Sequence, residues 1–337
     1  MTPSVAAAAI EDFRQTFAAV RREVAKVVIG HQAAVETILV AFFAGGHALI
    51  EGVPGIGKTL IVRSLAEALN LSFNRIQFTV DLMPADITGT RIINEGLDGR
   101  REFVFVRGPV FAHLLLADEI NRATPKTQSA LLEAMAEQQV TVAGTTHPLP
   151  SPFFVLATLN PIEMEGTYQL PEAQLDRFLF KVALEYPSRP ELERILGDTT
   201  AAELPTVQPV LARDAAPARV EELRQLVRRV LVAPHIERYA ADLVRLTHPG
   251  SDGEAPEAVS RYVAYGASPR GGQALILGAK VLALLAGRVH VAVEDIDRVA
   301  PAALPHRLVI NFAAEAASIR PPEIIAQVLA AGQRRRG

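Results

Sequence analysis

The 337-residue sequence contains no cysteine and no tryptophan, and aromatic residues make up only 6% of it. Without cysteine there is no disulfide, thiolate zinc site, iron–sulfur cluster or cysteine nucleophile. A surplus of one charge is also missing. The 34 basic and 37 acidic residues leave a formal net charge of −3, so no global positive field gathers nucleic acid or anionic lipid. Long apolar runs are absent as well. The longest, Ile38 to Ile50, is interrupted by Gly45, Gly46 and His47 and falls short of the roughly 20 residues that cross a bilayer. The N-terminus has no basic start before its alanine run, and Glu11 and Asp12 follow it. That pattern argues against a secretory signal. The expectation is a cytoplasmic protein with no membrane span.

What is present is a core. Hydrophobic residues are 49% and charged residues 21%, a globular mix, and the length suggests about two domains. Up to Leu184, short apolar runs alternate with helical patterns. Five segments read as strands: His47–Glu51, Phe73–Phe78, His113–Asp118, Phe153–Leu159 and Phe178–Leu184. Unbroken runs such as His113–Asp118 suit central strands of a parallel sheet covered on both faces. The expected fold class is therefore α/β, with a doubly wound layer. Two stretches break the alternation. Thr90–Val106 reads as a hairpin around Asn94–Gly99, and Val140–Pro150 as a smaller one around Ala143 and Gly144. Edge decoration is the plain reading of both.

From Pro187 the texture changes. Ser188 and Glu191 form a capping-box pattern, and Ala201–Pro217 is rich in proline and alanine. Helical patterns follow over Val220–Val230, Pro234–Leu246, Pro269–Leu285, Val293–Val299 and Pro322–Leu329. They predict a second, helical domain. The expected division is a core over 1–187 with an N-terminal extension over 1–15, a linker over 188–215 and a helical domain over 216–337.

Gly52-Val53-Pro54-Gly55-Ile56-Gly57-Lys58-Thr59 matches the phosphate-binding loop G-x-x-x-x-G-K-[ST]. A predicted strand precedes it and a predicted helix, Lys58–Leu69, follows. From this composition a chance match is on the order of one in several hundred. Glycines let backbone N–H groups point at phosphate oxygens, and the helix N-terminus adds partial positive charge. Lys58 would reach the β- and γ-phosphates, and the Thr59 hydroxyl would ligate Mg²⁺. Asp118 and Glu119 end an apolar strand that would face the same crevice. Asp118 would hold Mg²⁺ and Glu119 would orient the attacking water. Asn160 follows the next strand. It either opens a turn or contacts the γ-phosphate or the water.

These motifs occur in order with Leu175-Asp176-Arg177-Phe178 and Ser268-Pro269-Arg270. Together they resemble the AAA+ ATPases, and within them the MoxR group. The runs Asp118–Met135 and Thr167–Phe178 resemble that group most, and the likeness spans roughly residues 15–325. It implies an AAA+ αβα core with a five-stranded parallel sheet, hairpin inserts and a C-terminal all-helical lid. It implies Mg²⁺-dependent hydrolysis of ATP to ADP in a homo-oligomer, usually a hexameric ring. Asn160 matches sensor 1, Arg177 the arginine finger and Arg270 sensor 2. Arg177 could instead pair with Asp176 or Glu172, and Arg270 could face solvent at the start of a helix loosened by Gly271 and Gly272. Ile29 and Gly30, in Val28-Ile29-Gly30-His31-Gln32, match the box beside the adenine, with His31 close to the base. Pro54, Gly55, Ile56, Gly57, Lys58, Thr59 and Leu60 complete the implied nucleotide contacts. Gln77 is a candidate for a polar switch that holds Glu119 inactive. The hairpins match the helix-2 insert and the pre-sensor-1 hairpin, which become remodelling elements. The family's usual role implies a chaperone working on a client with a von Willebrand A-domain partner. The alternatives are a magnesium-chelatase-like motor subunit and a nucleic-acid-remodelling motor. The near-neutral charge and the absence of a basic, aromatic-interleaved patch weigh against the latter.

Overall fold

The computed structural model describes residues 3–95, 101–160, 167–250 and 255–335. The turn of the first hairpin (96–100) and Pro161 lie outside them. Helices α1 (Pro3–Val24) and α2 (Gln32–Ala44) precede β1 (Ala48–Glu51) and α3 (Lys58–Leu69). Strand β2 (Phe73–Gln77), the short α4 (Pro84–Thr88) and a hairpin of β3 (Gly89–Glu95) with β4 (Arg101–Arg107) come next. Then follow β5 (Leu114–Asp118), α5 (Pro125–Glu137) and a second hairpin, β6 (Gln139–Val142) with β7 (Thr145–Pro148). Strand β8 (Phe154–Leu159), α6 (Glu172–Leu175) and β9 (Phe180–Ala183) complete the α/β part. Both hairpins form separate two-stranded antiparallel sheets.

The central sheet has five parallel strands in the order β2-β5-β8-β1-β9. Successive side chains of a strand point to opposite faces, and both faces here are covered. Ile50, Leu114, Leu116, Phe154 and Leu156 belong to an apolar cluster with α1, α2 and α3. Leu49, Leu115, Ala117, Val155 and Ala157 belong to a second cluster with α4 and α5. That double burial is why these strands read as unbroken apolar runs rather than alternating ones.

Helix α1 is anchored through aromatic rings. Phe13 lies 5.3 Å from Phe43 of α2 in an edge-on pair, and Phe42 lies 5.4 Å from Phe154 of β8. Such pairs contribute roughly 0.5–1.5 kcal/mol each beyond area burial.

The region after β9 begins with α7 (Arg189–Thr199), inside the segment expected to be a linker. The Glu191 carboxylate accepts from both the backbone N–H and the hydroxyl of Ser188, so the cap residues start that helix. Helices α8 (Ala216–Arg228), α9 (Pro234–Leu246) and α10 (Glu257–Tyr262) follow, then β10 (Val263–Tyr265) and α11 (Pro269–Leu285). Helix α12 (Val293–Ala303), β11 (Val309–Ile310), α13 (Phe312–Ala316) and α14 (Pro321–Arg334) close the described chain. The helical character matches expectation, and β10 and β11 add a short antiparallel pair. Strands of two and three residues are too short for a periodic signal. The lid shares one continuous apolar cluster with α1, α2 and the sheet. Gly278 of α11 makes that docking possible, because a Cβ there would lie 2.6 Å from Cζ of Phe180. A larger residue would force α11 off β9, at about 1–3 kcal/mol.

Candidate active site

The parallel sheet puts the C-terminal ends of β1, β8 and β5 side by side, with β8 in the middle. The loop after β1, Asn160 after β8 and the acids after β5 therefore share one edge, the usual ligand crevice of such sheets. Gly55 and Gly57 hold φ of +83° and +93°, and no atom lies within 4 Å of where their Cβ would be. Those left-handed conformations suit glycine. Lys58, only 7% exposed, donates from Nζ to the Gly52 carbonyl at 2.9 Å. Thr59 is half-buried in the first turn of α3.

A cavity of about 730 Å³ adjoins this loop. Ile29, Gly55, Ile56, Gly57 and Leu60 line it from one side, and Tyr186, Leu192, Ile195 and Val207 from the other. His31 sits at its wall. Its Nε2–H donates to the Ile56 carbonyl at 3.1 Å, since a carbonyl only accepts. Gly30 packs against α7, where a Cβ would lie 3.0 Å from the Glu191 carboxylate. The Ser188 hydroxyl and N–H, with His31 nearby, hold that carboxylate below its usual range. The expected base pocket is thus closed by α7, an element that sequence reading placed only as a capped helix start.

The two acids sit in a dense polar network. Asp118 is 6% exposed. Its Oδ1 accepts from the Thr158 hydroxyl at 2.6 Å, and its Oδ2 accepts from Arg75 Nη2 at 2.8 Å. The Glu119 backbone N–H donates to Thr158 Oγ1 at 2.8 Å. Glu119 Oε2 accepts from Gln77 Nε2 at 2.8 Å and from Arg122 Nη1 at 3.1 Å. Arg75 Nη2 also donates to Gln77 Oε1 at 2.8 Å. A carboxylate only accepts and a guanidinium only donates, so these partners orient the Gln77 amide unambiguously. Glu119 adopts a left-handed backbone, φ 55° and ψ 51°. A non-glycine residue there costs on the order of 1–3 kcal/mol, and such strain concentrates at functional sites.

The proposed metal and phosphate ligands fit those groups chemically. The Thr59 hydroxyl and Asp118 carboxylate are hard oxygen donors of the kind Mg²⁺ selects. The guanidinium on Asp118 Oδ2 shows that this oxygen attracts a cation. Asn160 is buried at the end of β8.

Two further expected site residues have partners of their own. Arg177, just after α6, donates from Nη1 to the Leu132 carbonyl of α5 at 2.7 Å. Its neighbour Asp176 is engaged by Arg307 and Ser268 of the lid. Arg270 is exposed in the first turn of α11, where its N–H donates to the Ser268 hydroxyl that caps the helix. Gly271 behind it is buried rather than loose, and a Cβ there would lie 3.3 Å from Cδ of Arg307. Neither Arg177 nor Arg270 lines the cavity beside the loop, and neither do Lys58, Thr59, Asp118, Glu119 and Asn160.

Sequence reading missed Arg75, Arg122 and the bridging role of Thr158. Arg75 left one trace: two residues before Gln77 in an extended run, it shares a strand face with it.

Comparison with known proteins places this arrangement. Residues 47–180 match the ATPase family associated with various cellular activities (AAA), and residues 255–328 match the AAA lid domain. Chaperone MoxR1 of Mycobacterium tuberculosis is 44% identical over 307 residues, covering 91% of this chain and 79% of that protein. Protein MoxR of Methylorubrum extorquens is 34% identical, covering 90% of each chain. A solved structure from Cytophaga hutchinsonii superposes with a TM-score of 0.88 at 40% identity and covers 97% of each chain. With its phosphate loop, paired acids and helical lid, the chain belongs to the AAA+ P-loop ATPases, and among them to the MoxR group.

Proposed function

We propose that this protein is a Mg²⁺-dependent, ring-forming ATPase that works as a cytoplasmic chaperone on partner proteins. The observation that carries the reading is the coupling of Asp118 and Glu119 through Thr158, at the sheet edge shared with the phosphate loop.

In this reading Lys58, the loop amides and the α3 N-terminus grip the β- and γ-phosphates of ATP. Pro54, Gly55, Ile56 and Gly57 shape the cradle, with Leu60, Ile29 and Gly30 towards the base. Thr59 and Asp118 would hold Mg²⁺, which when bound neutralises charge on the phosphate oxygens. Glu119 accepts a hydrogen bond from the attacking water and points its oxygen at the γ-phosphorus, releasing ADP and phosphate. Asn160 steadies the same water or the γ-phosphate. Arg177 supplies positive charge once the assembly forms, and Arg270, as sensor 2 on the lid, reports the nucleotide state to the helical domain. Arg177 acts on the phosphate held by a neighbouring copy, where such a finger is worth about 10³–10⁵ in rate. A hexameric ring satisfies this need.

The hairpins are the proposed remodelling elements. Ile93 and Phe103 pair across the β3–β4 hairpin and are 59% and 65% exposed. Phe105 of that hairpin stacks on His147 of β7 at 4.0 Å, joining the two hairpins. A client with a von Willebrand A-domain partner is the proposed target.

Phosphate release and sedimentation velocity, each with and without ATP and Mg²⁺, test the core of this reading. Metal-dependent turnover together with a nucleotide-driven shift to a larger particle is expected. An inert monomer at every concentration would overturn it. Affinity capture with the Glu119→Gln variant in ATP then tests for the partner.

A further inference from the structure

Asp118 and Glu119 are joined by a second route besides Thr158. Arg75 Nη2 donates to Asp118 Oδ2 and to Gln77 Oε1, each at 2.8 Å, and Arg75 Nε reaches the same Asp118 oxygen at 3.2 Å. Gln77 Nε2 in turn holds Glu119 Oε2. One guanidinium thus ties the proposed metal ligand to the amide that restrains the proposed water-orienting acid. Register explains the convergence. Gln77 pairs with Asp118 and Arg75 with Leu116 in the parallel β2–β5 ladder, and residues two apart share a face.

We propose that Arg75 is a displaceable counter-ion, which holds Asp118 until a metal–nucleotide complex arrives and couples that arrival to the loosening of Gln77 from Glu119, with Arg122 remaining on the acid. This rests on the nucleotide-binding reading above. Thr158 already occupies Asp118 Oδ1, so Oδ2 is the oxygen open to exchange, and the guanidinium covers it. A cation cannot approach Oδ2 without moving the guanidinium, because like charges at contact repel strongly in a partly buried site. The Arg75 side chain is 47% exposed against 9% for Asp118, so it can swing into solvent while the acid stays. When it swings, the Gln77 amide loses the donor that fixes its orientation, and its grip on Glu119 loosens. Arg75 is therefore a positioning residue. It acts through Asp118 and Gln77, and it sets the metal concentration at which the acid pair becomes available.

Metal binding supplies a readout besides activity. Mn²⁺ binding is followed by electron paramagnetic resonance with a non-hydrolysable ATP analogue, in the full-length protein and in Arg75→Ala and Arg75→Gln. Affinity for the analogue in EDTA is measured alongside. Both substitutions are expected to tighten Mn²⁺ about three- to tenfold, the size of a half-exposed ion pair together with relieved repulsion, with analogue affinity in EDTA unchanged within about twofold. Unchanged or weaker Mn²⁺ binding, in a parent protein that binds metal and nucleotide normally, would overturn the counter-ion role alone. A parent protein that binds neither would overturn the nucleotide-binding reading, and this proposal with it. Circular dichroism melts confirm that both variants are folded, and a misfolded Arg75→Ala leaves Arg75→Gln, which keeps a polar side chain at the position, to decide.

Discussion

The Arg307 guanidinium of the lid donates from Nε to Asp176 Oδ1 at 2.9 Å, directly beside Arg177. Its Nη2 reaches the Phe178 carbonyl at 2.7 Å and its Nη1 the Leu179 carbonyl at 3.1 Å. The Ser268 hydroxyl, which caps the helix bearing Arg270, donates to Asp176 Oδ2 at 2.7 Å. One carboxylate thereby ties the segment carrying Arg177 to the start of α11. Arg307 is 7% exposed, and burial lowers its pKa to about 10 even with Asp176 opposing the shift.

Removing one partner of such a pair leaves a buried charge unmatched, at about 3–5 kcal/mol. Asp176→Asn is expected to lower the denaturation midpoint accordingly. In a folded sample it should cut kcat far more than nucleotide affinity, because the segment carrying Arg177 loses its tie to the lid and the phosphate loop does not. Equal losses in both would show Asp176 to be merely structural.

Lys58→Ala is expected to abolish nucleotide binding, since the charge-assisted phosphate contact disappears. Glu119→Gln should keep ATP bound while turnover collapses. Fluorescent-nucleotide titration and phosphate release separate the two. Normal turnover in Glu119→Gln would reassign the water-orienting group.

Arg177→Ala should bind ATP yet hydrolyse it poorly. Mixing Arg177→Ala with Glu119→Gln protomers should restore part of the activity, because some junctions then combine an intact acid with an intact finger. Absence of rescue in mixed assemblies would place Arg177 in cis.

Thr158→Val keeps the shape and removes the hydroxyl. Asp118 Oδ1 and the Glu119 N–H then lose their shared partner, at about 1–3 kcal/mol each for a buried group. Both stability and kcat are expected to fall, and Thr158→Ser to restore most of each. Full activity in the valine variant would show that the left-handed Glu119 is held by other contacts.

A pH effect comes from His47. Desolvation lowers its pKa from 6.5 to about 4. Its Nδ1 accepts from the Val155 N–H at 3.0 Å, and Nε2–H donates to the Met135 carbonyl at 3.3 Å. A proton would break the first bond. The unfolded chain binds that proton near pH 6.5 and the folded chain only near pH 4. Stability is therefore full above about pH 6.5 and falls as pH drops towards 4, by a total of order 3 kcal/mol. Melting temperatures from pH 7 to pH 4.5 should decline, and His47→Gln should flatten the slope. His306 and His113, pushed the same way by burial, add to the slope. An identical slope in His47→Gln would remove His47 as the cause.

Much of the fold was readable from pattern. The five core strands were visible because burial on both faces demands unbroken apolar runs. Helix α3 and helix α11 fall on their expected bounds, Lys58–Leu69 and Pro269–Leu285: Gly57 precedes α3 and Pro269 opens α11, while left-handed Asn70 closes α3 and left-handed Gly287 follows α11. The phosphate loop and the Asp118–Glu119 pair were legible for the same reason: each is a contiguous stretch whose chemistry depends on spacing alone. The placement of α1 was not. Its aromatic contacts reach across to α2 and, through Phe42, to β8.

Local spacing, then, picks out the loop proposed to bind phosphate and the strand that ends in two acids. Only chain packing decided that Arg75 meets Asp118, that Thr158 spans both acids, that α7 closes the pocket, and that Arg307 holds Asp176. Those pairings join residues far apart in sequence, through strand register and lid docking. A linear pattern encodes the faces of an element but not which faces meet, because that choice is made by the summed burial of the whole chain.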